Sequence, residues 1–174
     1  MAGVLILDLG AYLAHVMMHR FGIGWRFHRV HHSEPEVDVT TALRQHPIES
    51  LWRIAWQVAA IGLLGLPMPT VLLYLVMSAA NAQIEHANIR ILGMWDRVVR
   101  WIVVTPNMHK IHHSRLQMET DTNYSNIFSF WDRVFGTYKS PDRLSQLKYG
   151  LDGYDDARKQ TLAALLKGPF VRAA

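Results

Sequence analysis

Residues 1–21 are apolar except for Asp8, His15, His19 and Arg20, and they predict one helix. About 20 residues suffice to cross a bilayer core. Gly22 and Gly24 predict a break, and residues 25–33 resume as a helical segment. Its Trp25, Arg26, Phe27 and Arg29 suit a membrane interface, with rings at headgroup level and cations toward water. Glu34-Pro35 ends it, because the residue before proline disfavours the α region. Residues 37–45 read as a polar connector outside the membrane, and His46-Pro47 starts the next element.

The main hydrophobic block is 48–87, interrupted by Pro67-Met68-Pro69. Its first arm, 48–66, would span roughly 28 Å as a helix, and 70–87 is of similar length. Glu49 and Arg53 stand near the start of the block and Glu85 near its end, so it predicts a transmembrane hairpin with the prolines at its tip. His46 and His86 then emerge on one side. Residues 90–104 predict an interfacial helix, with Trp95, Val98, Val99, Ile102 and Val103 against Asp96, Arg97 and Arg100. Residues 117–126 read as a polar loop, and the aromatic-rich stretch 127–138 as packing under a site or on the membrane surface. A loop over 141–153 and a short amphipathic helix over 155–167 follow, the helix with Asp155 and Asp156 at its start and Lys167 at its end. The fold class expected is all-α: an integral membrane helical bundle in one domain, 1–174.

Composition sharpens this. Charged residues make up 18% of the chain, below the ~25% of soluble domains. The net charge of +4 is scattered among apolar helices, which argues against nucleic acid and for anionic lipid headgroups. Arg20, Arg26, Arg29, Arg44, Arg90, Arg97, Arg100, Lys110 and Arg115 fall on the histidine side of the proposed spans. The positive-inside rule places that side in the cytoplasm. The N-terminus has no basic n-region and is not a secretory signal. The chain starts abruptly inside a helix, which suggests a shortened form of something longer.

The chemistry lies in two near-identical hexapeptides, His-Arg-Val-His-His-Ser at 28–33 and His-Lys-Ile-His-His-Ser at 109–114. Each puts imidazoles at i, i+3 and i+4, on one helical face. His15 and His19 add an i,i+4 pair, so three clusters hold eight of the ten histidines. There is no cysteine, which excludes thiolate ligands and iron–sulfur clusters and leaves nitrogen and oxygen to hold a metal. Imidazole suits iron, zinc and copper. Eight or nine rings exceed the needs of one ion and suit two. Haem ligation would use only four of them.

The stretches 8–20 (DLGAYLAHVMMHR), 25–33 (WRFHRVHHS), 40–49 (TTALRQHPIE), 83–89 (QIEHANI), 105–115 (TPNMHKIHHSR) and 121–138 (DTNYSNIFSFWDRVFGTY) resemble the fatty acid hydroxylase/sterol desaturase superfamily of membrane di-iron enzymes. The likeness is greatest to its bacterial members and its alkylglycerol monooxygenase-like branch. The resemblance implies two iron ions per chain and O₂ as cosubstrate. It implies metal ligands at His15, His19, His28, His31, His32, His86, His109, His112 and His113. His46, Asp8, Glu49, Gln83, Glu85 and Asn88 become candidates to orient those rings from behind. No catalytic residue is expected beyond the ligands. Members usually carry further hydrophobic helices upstream of the first histidine motif, and this chain is expected to lack them.

The function expected is a membrane-bound oxidoreductase that hydroxylates or desaturates a lipid such as a fatty acyl chain, sterol or ether lipid. No flavin or nicotinamide fingerprint is present, so electrons must come from an external reductase, cytochrome or ferredoxin-type donor. The competing readings are a metal-binding membrane protein without oxygenase chemistry and an inactive truncated relative. Metal transport would need a polar path through 48–87, which offers only Gln57, Ser78, Asn81 and Gln83.

Overall fold

The structure is a computed structural model that describes residues 1–142 and 144–171. Arg143, in the predicted loop 141–153, and residues 172–174 of the predicted domain lie outside the described residues. Three helices make the frame: α1 (Ala2–Arg20), α3 (Pro47–Leu64) and α4 (Met68–His86). α2 (Gly22–His32) folds back from the end of α1. Short helices α5 (Gly93–Val99), α6 (Pro106–His112), α7 (Gln117–Thr120), α8 (Phe130–Val134) and α9 (Leu162–Lys167) follow. Regular structure among the described residues is helical, apart from isolated antiparallel bridges joining Val103 to Phe128 and Ser114 to Tyr149.

Val4 and Leu7 of α1, Val71 and Tyr74 of α4, and Ile127 form the buried apolar core. Asp8 lies beside it, fully buried. Its carboxylate accepts from the backbone N–H of Ile127 (3.1 Å) and Phe128 (3.0 Å), from Trp131 Nε1 (3.0 Å) and from Asn126 Nδ2 (3.4 Å). One side chain of α1 thus pins a segment more than a hundred residues away.

The hairpin forms as α3 and α4. Gly65 closes α3 in the left-handed region (φ 60, ψ 40), two residues earlier than the hydrophobic pattern suggests. Leu51, Ile54, Val58 and Leu63 of α3 and Leu72, Leu73 and Val76 of α4 are exposed, and Glu49 is the buried residue of α3. By length and composition, one described helix, Ala2–Arg20, is apolar enough to cross a membrane. The polar ends of α3 and α4, with Glu49, Arg53, Asn81, Gln83 and Glu85, offset their apolar middles.

Four expectations are corrected. The break after α1 falls at Phe21, which is extended (φ −100, ψ 126), while Gly22 and Gly24 lie inside α2. A Cβ on Gly24 would stand 2.7 Å from Met18 Cα, so this glycine serves the close approach of α2 to α1. The helix expected over 90–104 is confined to Gly93–Val99. Residues 102–104 bond to 127–129 instead, through Val104 N–H to Ile127 O (2.9 Å) and Ser129 N–H to Ile102 O (3.1 Å). Three consecutive β-branched residues there favour extended backbone.

The segment 117–126 is not a solvent loop. It holds α7, and Asn123, Tyr124 and Ser125 are buried. Asn123 (φ 55) ties it down by donating to Met108 O and Lys139 O, both at 3.0 Å. Finally, 155–167 divides into a 3-10 turn, Ala157–Gln160, and α9, with extended Thr161 (φ −70, ψ 148) capping the second. The connector 37–45 also carries a 3-10 turn, Val39–Leu43, capped by Asp38 and packed on α4.

Candidate metal centre

The last two turns of α1 present His15 and His19, α2 presents His28, His31 and His32, and α4 ends on His86. His109 and His112 lie on α6, and His113 caps it. α6 is held in register at its start, where Thr105 Oγ1 accepts from Met108 N–H (3.3 Å) and donates to Asp96 Oδ1 (2.7 Å). All nine rings are at most 9% exposed.

The rings sort into two groups, His15/His19/His28/His32/His112 and His31/His86/His109/His113, whose candidate ligand atoms lie within 4.8 Å of one another. The hexapeptides interlock. The i,i+4 pair of the first, His28 and His32, joins the middle histidine of the second, His112. The i,i+4 pair of the second, His109 and His113, joins the middle histidine of the first, His31. His15 and His19 complete one group and His86 the other.

Hydrogen bonds on the outer nitrogens orient the rings. Nδ1 of His15 donates to Tyr124 O (2.8 Å), of His31 to Thr41 O (3.1 Å), of His86 to Ala82 O (2.7 Å) and of His112 to Thr122 O (2.8 Å). Nδ1 of His28 donates to Glu49 Oε1 (2.8 Å) and that of His19 to Asp121 Oδ1 (3.2 Å). A neutral imidazole that donates from Nδ1 keeps a lone pair on Nε2. Those lone pairs converge. His15 and His28 bring Nε2 within 3.0 Å, and His31 and His86 within 3.2 Å, with no proton left to share. Nε2 of His19 and of His112 is buried without a hydrogen-bond partner.

A cation resolves this arrangement. An imidazole nitrogen sits about 2.0–2.1 Å from such an ion, so two cis ligands lie about 3.0 Å apart. The contacting Nε2 pairs of the second group, His86 with His109 (3.0 Å), His86 with His113 (3.1 Å) and His109 with His113 (3.1 Å), match that spacing. The protonation state also suits ligation. Burial first, and neighbouring rings second, hold His28, His31, His32, His109 and His113 well below the ordinary imidazole value. Burial pushes His112 down to about 3. The rings are therefore neutral at pH 7. Trp25 and Tyr124 close the five-ring side, with ring centroids 5.0 and 4.9 Å from His19.

The residues anticipated behind the rings divide. Glu49 touches His28 directly. Glu85 borders the four-ring group, with Oε1 3.9 Å from His109 Nε2. Asp8 faces 126–131 instead. His46 accepts from Ile48 N–H at the start of α3 and reaches Leu166 O with Nε2 (3.2 Å), apart from both groups. Gln83 is half-buried and Asn88 exposed, the latter lining a surface pocket with Arg90 and Tyr149. Sequence reasoning missed Asp121 and the carbonyls of Thr41, Ala82, Thr122 and Tyr124. A cavity of about 30 Å³ borders both groups, lined by His15, His31, His86, His109, Glu85 and Arg53 among others.

The model of the family described as fatty acid hydroxylase matches residues 1–137, which include every ring of both groups. The chain belongs to the fatty acid hydroxylase family. Among curated relatives, this fatty acid hydroxylase family member is 34% identical over 170 residues to the ornithine lipid hydroxylase OlsE of Rhizobium tropici, covering 98% of this chain and 50% of that one. It is 32% identical over 148 residues to the alkylglycerol monooxygenase of Xenopus tropicalis, covering 83% of this chain and 31% of that one. The human alkylglycerol monooxygenase is 29% identical over 146 residues. The chain spans 50% of the length of the first relative and 31% of the second. No solved structure matches it. The segment beyond the family match still braces the helix that carries His28, His31 and His32: Arg29 Nη2 donates to Gly168 O (2.8 Å) and Gln160 Nε2 to Ser33 O (3.0 Å).

Proposed function

We propose that this family member is a membrane-bound lipid hydroxylase whose nine histidines hold two iron ions and which uses O₂ as oxidant. The observation that carries the reading is the pair of interlocked, buried imidazole groups with converging Nε2 lone pairs. Two irons bound there would supply the reduction of O₂ and the insertion of one oxygen atom into a C–H bond. The relatives' names, a lipid hydroxylase and monooxygenases of alkylglycerols, support hydroxylation of a lipid over desaturation.

The chain's own residues set the conditions. The carbonyls of Thr41, Ala82, Thr122 and Tyr124 keep four rings in the Nδ1–H tautomer, ready to ligate through Nε2. Burial keeps water out and the rings neutral. The cavity beside His15, His31, His86 and His109 borders both groups and has room for a molecule about the size of O₂ or water. α1 and the exposed apolar faces of α3 and α4 lie in the bilayer, with the histidine face toward the cytoplasm, where an external donor delivers electrons.

Iron analysis tests this reading. Purified protein should hold two irons per chain, lose activity on chelation and regain it with ferrous iron. Cells with the gene should show a hydroxylated lipid that is missing without it. Full activity in metal-stripped protein, or one iron or fewer per chain in an active preparation, would refute the proposal.

A further inference from the structure

We propose that the pocket between the end of α4 and α6 binds the phosphate of an anionic membrane lipid, held by Arg90 and Lys110. The lipid as its source rests on the membrane reading above; the anion site does not. The pocket has a volume of about 170 Å³. That is below the ~300 Å³ of sites that enclose a whole drug-sized ligand, and it suits a headgroup fragment. Its charged lining is cationic: Arg90 and Lys110 contribute to it, and no carboxylate does among the described residues. Asn88, Ser145 and Tyr149 add amide and hydroxyl donors.

The two cations lack counter-charges. Lys110 is 7% exposed. Its Nζ donates to Ile89 O at 2.7 Å, which leaves two of its three N–H groups without a protein partner among the described residues. The charged group that acts on Lys110 is a second cation, Arg90, and neither side chain pairs with an acid among the described residues. Like charges beside a nearly buried ammonium repel each other, and an anion between them removes that cost. The backbone between them is fixed for the purpose. Asn107 Nδ2 donates to Ile91 O at 2.7 Å, so two side chains of α6 hold the carbonyls on either side of Arg90. A guanidinium forks onto two phosphate oxygens, while an ammonium meets a third as a point charge.

The position of the pocket supplies the lipid. Asn88 follows the last residue of α4, His86, by two, so the pocket opens where a helix leaving the bilayer reaches the headgroups. Beside Arg90 in the chain, Ile89, Leu92, Met94 and Trp95 are 53%, 71%, 65% and 70% exposed. Apolar side chains flanking a cationic pocket match the chains of a lipid next to its phosphate. A free phosphate would leave them uncovered.

The test titrates full-chain protein in an uncharged detergent, by calorimetry, with three probes: dihexanoyl phosphatidylglycerol, dihexanoylglycerol, which lacks the phosphate, and sodium phosphate. The phosphatidylglycerol should bind saturably and more tightly than either of the others. Arg90→Gln and Lys110→Met should each weaken it roughly tenfold or more, the loss expected for a hydrogen bond to a charged group. Arg97→Gln, an exposed cation of α5 outside the pocket, should bind as wild type does. If Lys110→Met fails to fold, as circular dichroism would show, Arg90→Gln decides. Equal binding by wild type and Arg90→Gln, or an equal loss in Arg97→Gln, would overturn the site. Sodium phosphate bound as tightly as the lipid, with the same loss in Arg90→Gln, would overturn the lipid as occupant and leave a free anion in its place. Protein that stays monodisperse without detergent would instead overturn the membrane reading.

Discussion

Behind His28 stands Glu49, buried in the first turn of α3, with its Oε1 on the ring's Nδ1 at 2.8 Å. This partner fixes both the tautomer and the direction of the lone pair. Glu49→Ala should weaken metal binding at the five-histidine group by about 10–100-fold, the range for losing such a support. The measurement is iron retention against a competing chelator, and retention equal to wild type would mean His28 is oriented by packing alone. Protonation sets a second expectation. His112 is pushed down to about 3 from an ordinary 6.5, and burial shifts the other rings of α2 and α6 the same way. Between those values the unfolded chain takes up protons that the folded, metal-free chain refuses. Stability of the metal-free protein should therefore fall as pH drops from about 6.5 toward 3 and be flat with respect to these rings above that window. Denaturant titrations at pH 7.5, 6 and 5 would show it, and equal stability at all three would contradict it. Glu49 could be read from the sequence because a carboxylate beside His46-Pro47 is a visible side chain. The carbonyls of Thr41 and Tyr124 could not, since every residue carries one and only the fold aims it.

At the scale of elements, α1 and α2 must approach closely enough for His15 and His19 to meet His28 and His32. Gly24 permits this: a Cβ there would meet Met18 Cα at 2.7 Å and Met18 O at 3.0 Å, which are backbone atoms that cannot rotate away. Gly24→Ala should cost about 1–3 kcal/mol through forced separation of the helices. Gly22→Ala, with nothing within 4 Å of the added Cβ, is the control and should leave stability nearly unchanged. Thermal melts of both variants decide the matter, and equal melting would remove the packing role of Gly24. The sequence shows a glycine but not what stands opposite it, so Gly24 reads there as a breaker. The hairpin was legible because two long apolar runs flank Pro67-Met68-Pro69. The segments 90–104 and 117–126 were not, because their backbone is recruited by distant partners. Val104 bonds to Ile127, Asn123 to Met108 and Lys139, and the peptide N–H groups of Tyr124 and Ser125 to Asp132 at 2.7 and 3.0 Å. Local pattern carries no trace of such long-range bonds.

For the whole molecule, the two hexapeptides announced a site without showing its division: spacing along one helix says which rings share a face, not that the opposing helix takes the middle ring of each. The same arrangement ties the site to a surface. The rings gather at one end of the α1, α3 and α4 frame, while Leu63, 85% exposed, marks the far end of the hairpin. Asp152, its side chain 92% exposed, marks the histidine end. If α3 and α4 lie in a bilayer, these positions face opposite compartments, and Val58, 61% exposed on the outer side of α3, faces lipid. The chain has no cysteine, so single substitutions report cleanly. In inside-out vesicles a membrane-impermeant maleimide should label Asp152→Cys at once and Leu63→Cys only after permeabilisation. Val58→Cys should stay unlabelled in both conditions until detergent is added. Burial of α3 in lipid is the expectation tested, motivated by its exposed apolar side chains. Prompt labelling of Val58→Cys in intact vesicles would place that face in water and remove the hairpin from the membrane. Labelling of Asp152→Cys only after permeabilisation would keep the hairpin embedded but reverse its orientation, and with it the compartment from which the electron donor must reach the histidines.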